Sequence, residues 1–182
     1  MSIPELLNHL HIEGHPIFFY LLVMPFAKLT SNIIYMQLIC WGFMVASVFL
    51  LFRYSPFHIV TKFAITLSAW YIYFLPVIAR PYAMLPFLLF IVAILYKKQK
   101  EHPFLYCTIL ALIACTHALM FVFSAFALVL FLFENIIKSS EKKKFIFPCF
   151  ILGLALIYVL WQGRSTLSFN TCFDAPNSYY DS

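Results

Sequence analysis

The side chains best suited to chemistry fall at a few separated points of an otherwise apolar chain. Glu13 and His15 lie in a polar N-terminal stretch, Arg80 and Tyr82 follow a long apolar run, and His117 interrupts another. An arginine in so apolar a setting suggests a functional role, and its guanidinium group matches a phosphate with forked, charge-assisted hydrogen bonds. A nearby carboxylate would orient an acceptor or act as a base. The set therefore suits a phosphate that is carried on a lipid.

Each of these residues also has a simpler interpretation. Arg80 would extend its side chain to the membrane interface, Tyr82 would be an ordinary interfacial aromatic residue, and His117 would close a tight turn. The spacing of His11, Glu13 and His15 differs from the zinc-binding H-E-x-x-H pattern and places them on one face only in an extended chain. We predict no metal site and no cofactor. With four glycines in the chain, nucleotide-binding loops are excluded.

Composition decides the class of protein. Hydrophobic residues make up 64% of the 182 residues and charged residues 10%, against about 45–50% and about 25% in soluble proteins. This composition predicts an all-α, polytopic transmembrane helix bundle. The net charge of +5 collects in short stretches between apolar runs, which indicates membrane topology and no nucleic-acid surface. The five cysteines form no C-x-x-C pattern and are interpreted as small apolar residues.

The lengths of the apolar runs predict about six spans. The first span is Ser31 to Phe52 and the last is Phe145 to Trp161. Two longer runs, 63–96 and 103–133, would be about 51 and about 46 Å long as single helices, so each is divided into two crossings. The turns are placed at Arg80-Pro81, because proline lacks an amide proton, and at Thr116-His117. The run 16–27 is too short to cross and predicts an interfacial juxtamembrane helix.

The distribution of cations predicts the orientation. Alternating crossings place nine cations on one side: Arg53, Lys62, Lys97, Lys98, Lys100, Lys138, Lys142, Lys143 and Lys144. The other side receives Lys28, Arg80 and Arg164. The first side is therefore predicted to be cytoplasmic and the N-terminus to be outside. The predicted organisation is an extracytoplasmic loop with an amphipathic helix at 1–30, a helix bundle at 31–162 and a polar extracytoplasmic tail at 163–182.

Two motifs resemble those of the GT-C membrane glycosyltransferases. The stretch Glu13-Gly14-His15-Pro16, followed by an aromatic and leucine-rich run, is similar to their acid–x–His–Pro motif. The stretch Ala79-Arg80-Pro81-Tyr82-Ala83 is similar to their later arginine–x–tyrosine–alanine motif. The pattern is most similar to the family-39-like bacterial enzymes, which are akin to protein O-mannosyltransferases. It covers roughly residues 3–144.

The resemblance implies a specific activity and setting. Such enzymes take a polyprenyl-phosphate-linked sugar as donor and act at the outer face of the bacterial inner (plasma) membrane. Carried over by motif, Glu13 and His15 belong to the catalytic outer loop, whereas Arg80, with Tyr82 and His117 nearby, belongs to the lipid-phosphate side. The family's first transmembrane helix and its catalytic aspartate precede this loop. Because the sequence begins within the loop, we expect a truncated fragment, in which transfer activity is uncertain.

Two other classes of function remain open from the sequence. One is a small flippase or transporter subunit for a lipid-linked substrate, and the other is a non-catalytic membrane scaffold that pairs with a complete enzyme. A pathway for charged solutes should leave ionisable residues in the middle of the spans. The polar residues in the middle of the predicted spans are uncharged, such as Gln37, Thr66 and Ser68. This argues against a transporter of charged solutes but not against a lipid flippase.

Overall fold

The computed structural model describes residues 17–29, 32, 34–75, 80–117, 119–137 and 143–169, without the side chains of residues 27, 29, 136, 137 and 163–169. Every regular element in these ranges is helical, which confirms the all-α prediction. The α-helices are α1 (Phe18–Leu29), α2 (Ile34–Tyr54), α3 (Ile59–Thr66), α4 (Leu85–Tyr96), α5 (Pro103–Ala114), α6 (Met120–Leu132) and α7 (Lys143–Phe169). Two π-helical turns, Trp70–Phe74 and Phe133–Ile137, and a 3-10 turn, Pro81–Met84, complete the set.

Within the described ranges, two helices are long and apolar enough to cross a membrane. They are α2, with 21 residues, and the segment Lys143–Gln162 of α7, with 20 residues. They coincide with the first and last predicted spans, although α7 continues through the start of the predicted polar tail as far as Phe169. The other apolar helices are shorter: Pro81–Tyr96, Pro103–Ala114 and Met120–Asn135. The bundle of six crossings therefore stays a prediction.

The predicted turns at 80–81 and 116–117 are confirmed. Arg80 has an extended backbone, with φ −110° and ψ 165°, and Pro81 begins the 3-10 turn that leads into α4, because proline disfavours helical geometry in the residue before it. At the second turn, α5 ends at Ala114 and α6 begins at Met120. His117 Nδ1 accepts a hydrogen bond from the Leu119 amide at 3.2 Å, so the turn-closing interpretation of His117 is confirmed.

The chain before Arg80 is predicted to form one crossing, and within the described residues this segment is not a single continuous helix. Helix α3 ends after only eight residues at Thr66. The Ser68 hydroxyl then donates to the Ile65 carbonyl at 2.7 Å, and the π-helical turn Trp70–Phe74 follows. A serine hydroxyl that bonds to the preceding turn competes with the helical hydrogen bonds of the backbone. The result is a broken segment that carries aromatic side chains towards Arg80.

Helix α1 was predicted to lie at the membrane interface, but one of its faces is buried in the bundle. The helix begins two residues later than expected, at Phe18, and Phe26 is exposed, as an interfacial aromatic residue should be. Phe19, however, is buried in the core. Its burial follows from the position of the helix, since the Phe18 amide donates to the Cys115 carbonyl at 3.3 Å and α1 packs against α2. One face of α1 thus belongs to the bundle.

Helix α5 is the centre of the bundle. It packs against α4, α6 and, most extensively, α7, while α2 packs against α4. Seven of its twelve residues are buried: Pro103, Tyr106, Cys107, Leu110, Ala111, Ile113 and Ala114. Small residues let neighbouring helices approach closely, and the Ser124 hydroxyl of α6 donates to the Leu110 carbonyl at 3.0 Å. The described cysteines are free thiols, with Cys40 and Cys107 buried.

The two ends of the bundle differ in charge. At one end, here called the lysine pole, the end of α2, the turn 97–102 and the start of α7 meet. Tyr54 and Lys97 line one pocket there, and Phe104 stacks on Phe147 with ring centroids 6.3 Å apart. The described cations of this pole are Arg53, Lys62, Lys97, Lys98, Lys100, Lys143 and Lys144. The opposite end, which contains Arg80, Tyr82 and His117, is called the arginine pole.

Candidate functional site

The arginine pole brings together three of the five residues singled out in the sequence. The 3-10 turn after Arg80 places Tyr82 against His117, with ring centroids 4.8 Å apart and an interplanar angle of 50°. Because His117 Nδ1 accepts the Leu119 amide proton, the imidazole ring is held in a fixed orientation. The turns that follow α5 and precede α4 therefore form one surface.

Arg80 stands at the edge of an open pocket of about 340 Å³. The pocket is lined by Arg80, Tyr82, Trp70, Phe74 and Leu75. Arg80 is exposed, and within the described residues no carboxylate pairs with its guanidinium group. The pocket thus combines a free cation at its rim with an aromatic and aliphatic wall. Such a site can hold an amphiphile that has an anionic group and an apolar chain.

The wall of this pocket was missed in the sequence analysis. Trp70 and Phe74 lie in the π-helical turn with ring centroids 5.0 Å apart. The available signal was the run Trp70-Tyr71-Ile72-Tyr73-Phe74 shortly before Arg80. A π-helical turn changes the direction in which successive side chains project. The α-helical periodicity assumed for this run therefore could not show which of its rings lie beside Arg80.

The two proposed catalytic residues, Glu13 and His15, lie outside the described residues. The first described residues lie at the arginine pole. There the Phe18 amide donates a hydrogen bond to the carbonyl of Cys115, and Cys115 is two residues before His117. Among the described residues, no three His, Cys, Asp or Glu side chains are grouped as a metal site requires.

A second polar cluster, at the lysine pole, was not predicted. Glu134 accepts hydrogen bonds from the Tyr96 hydroxyl at 3.1 Å and from Gln99 Nε2 at 2.6 Å. Its neighbour Asn135 is fully buried and donates to the Phe131 carbonyl at 3.0 Å. Both residues lie in the second π-helical turn. This cluster ties the end of α6 to the α4–α5 turn, so its evident role is structural.

Comparisons of the chain with protein-family models, curated proteins and solved structures gave no match. The class of this protein is therefore described from its fold and its candidate site alone. This is an all-α protein with two helices suited to crossing a membrane and a cationic, aromatic pocket at one end of its bundle.

Proposed function

We propose that this is an integral membrane protein that binds a polyprenyl-phosphate-linked sugar at the arginine pole, as the GT-C glycosyltransferases that its motifs resemble do. The observation that carries the proposal is the placement of Arg80 at the rim of a pocket with an aromatic wall. A phosphate is the natural ligand of a guanidinium group that has no carboxylate partner. Among the described residues Arg80 has none, so its charge is available to a ligand.

The apolar part of the pocket suits the isoprenoid chain. Trp70 and Phe74 are largely exposed, at 64% and 43%, and they border the cation together with Leu75. An isoprenoid unit laid against these rings would bury apolar surface while its phosphate stays at the rim. Tyr82, which also lines the pocket, carries a hydroxyl group that can donate to a phosphate oxygen. His117 supports Tyr82 through the contact of their rings.

The proposed membrane topology follows from the two poles. The lysine pole carries seven described cations, and such an excess is typical of the cytoplasmic side. The arginine pole would then face outwards, and so would the N-terminal loop that contains Glu13 and His15. Six crossings in a bacterial inner membrane, with Glu13 and His15 in the catalytic outer loop, complete the proposal. Glycosyl transfer to an acceptor would take place at this outer face.

Replacing Arg80 with alanine should weaken the binding of polyprenyl phosphate. Charge-assisted hydrogen bonds contribute about 1.5–3 kcal/mol, so we expect the dissociation constant to rise by about ten- to a hundredfold. Arg80→Lys should recover part of the loss, since lysine keeps the charge but not the forked geometry. The measurement is native mass spectrometry of the purified full chain titrated with polyprenyl phosphate.

Lys144→Ala is the control for this prediction. It removes an exposed cation at the lysine pole, away from Arg80, and it should leave polyprenyl phosphate binding unchanged. Equal losses in the Arg80 and Lys144 variants would indicate general attraction of the anion to a basic protein. Failure of the unmodified chain to bind polyprenyl phosphate would contradict the proposed function.

The orientation is tested by cysteine labelling in intact cells. In a variant that lacks the native cysteines, single cysteines at Lys98 and Lys143 should be protected from an impermeant thiol reagent. A cysteine at Arg80, at the other pole, should be labelled. Labelling of position 98 or 143 in intact cells would overturn the assignment of the lysine pole to the cytoplasm.

A further inference from the structure

A second pocket lies at the lysine pole, at the opposite end of the bundle from Arg80. Its volume is about 440 Å³, within the range of about 300–1,000 Å³ that is usual for ligand sites. It lies between the end of α2, the linker 55–57 and the last two turns of α4. Phe57, Phe90, Ala93 and Ile94 supply much of its apolar lining.

The polar residues of this pocket include Lys97 and Tyr54. Lys97 lines the pocket directly, and the Arg53 guanidinium group lies over the Tyr54 ring. Within the described residues neither cation forms an ion pair. The nearby Glu134 carboxylate is already bonded to Tyr96 and Gln99. The pocket therefore carries positive charge that no described carboxylate neutralises.

From the apolar lining and the unneutralised positive charge of this pocket we propose that it binds an anionic phospholipid of the surrounding membrane. The phosphate would lie beside Lys97, within the field of Arg53, and one acyl chain would enter the apolar part between Phe90, Ala93 and Ile94. Basic pockets between helices on the cytoplasmic side of a membrane bind anionic headgroups in this way. The site is separate from the arginine pole: it rests on the proposed membrane setting but not on the proposed binding of a polyprenyl-phosphate-linked sugar.

The test compares phosphatidylglycerol with phosphatidylcholine, titrated against the full chain in detergent and followed by native mass spectrometry. The unmodified protein should bind phosphatidylglycerol more tightly. Lys97→Ala should weaken this binding about fivefold, the effect of one cation near a phosphate. Ala93→Phe should weaken it about tenfold or more, because the added ring occupies the space of the acyl chain.

Two matched variants serve as controls. Lys144→Ala removes another exposed cation of the lysine pole, and Ala64→Phe adds a ring at an exposed position of α3 outside the pocket. Both should bind phosphatidylglycerol as the unmodified protein does. Thermal unfolding of each variant identifies any loss that comes from misfolding, in which case Ala93→Leu replaces Ala93→Phe.

Three results would overturn the proposal. The first is equal binding of the two phospholipids by the unmodified protein. The second is unchanged affinity when position 93 is filled by a folded variant. The third is a Lys97→Ala effect no larger than that of Lys144→Ala, which would mean that no charge in the pocket selects the headgroup.

Discussion

Replacing Glu134 with alanine is expected to lower the free energy of unfolding by about 2–4 kcal/mol. The change leaves Gln99 Nε2 and the Tyr96 hydroxyl without the carboxylate to which they donate, and Gln99 is only 6% exposed. Hydrogen bonds to charged groups contribute about 1.5–3 kcal/mol each, and a buried unpaired donor is costly. Unfolding can be followed with a thiol-reactive dye, because the buried thiols of Cys40 and Cys107 become reactive when the bundle opens.

Glu101→Ala is the control for this replacement. Glu101 is an exposed carboxylate in the α4–α5 turn, so its loss should change stability by less than about 0.5 kcal/mol. Glu134→Gln should fall between the two, since it keeps one acceptor oxygen without the charge. Equal stability of the Glu134 and Glu101 variants would show that the cluster does not hold α6 to the turn.

Leu110→Ala is expected to be the most damaging replacement within the central helix. Leu110 is fully buried in α5, and removing its side chain leaves a cavity among α4, α6 and α7. In the proposed membrane setting, the hydrophobic effect between helices would contribute little and packing would contribute most. The expected cost is therefore about 1–3 kcal/mol, below the 2–5 kcal/mol that is typical of a water-soluble core. The same thiol-reactive assay measures it.

The control lies on the same helix. Leu105 belongs to α5 but is 46% exposed, so Leu105→Ala removes the same atoms from a position that has few packing partners. Its midpoint of unfolding should stay within about one degree of that of the unmodified protein, whereas Leu110→Ala should shift the midpoint by several degrees. Similar shifts for both variants would contradict the placement of α5 at the centre of the bundle.

The sequence predicted those features of the fold that depend on local chemistry. The break at Arg80-Pro81 was predictable because proline restricts the residue before it, and the break at His117 because it is one of the few polar residues in an apolar run. The first span was predictable from its length alone. The break after Thr66 was not, because neither glycine, proline nor charge marks it, and Ser68 is a weak signal.

The candidate site was predicted only in part, because residue type identifies single side chains but not the contacts that tertiary packing creates. Arg80, Tyr82 and His117 were singled out by residue type, and the structure brings Tyr82 and His117 into contact and places Arg80 and Tyr82 around one pocket. The positions of Trp70 and Phe74, which form the wall of this pocket, depend on the π-helical turn. Glu134 was missed because its partners are 35 and 38 residues away in sequence. Contacts at such separations follow from tertiary packing, which periodicity does not encode.

The shortness of α5 has a consequence for how its ends would be solvated in the proposed membrane setting. Its twelve residues span about 18 Å, whereas the hydrocarbon core of a bilayer is about 30 Å thick. Non-helical backbone at membrane depth is tolerated only where it is buried in protein or lines a water-filled cavity. If α5 lies across the bilayer, at least one of its ends would therefore have to be covered by neighbouring helices or reached by water.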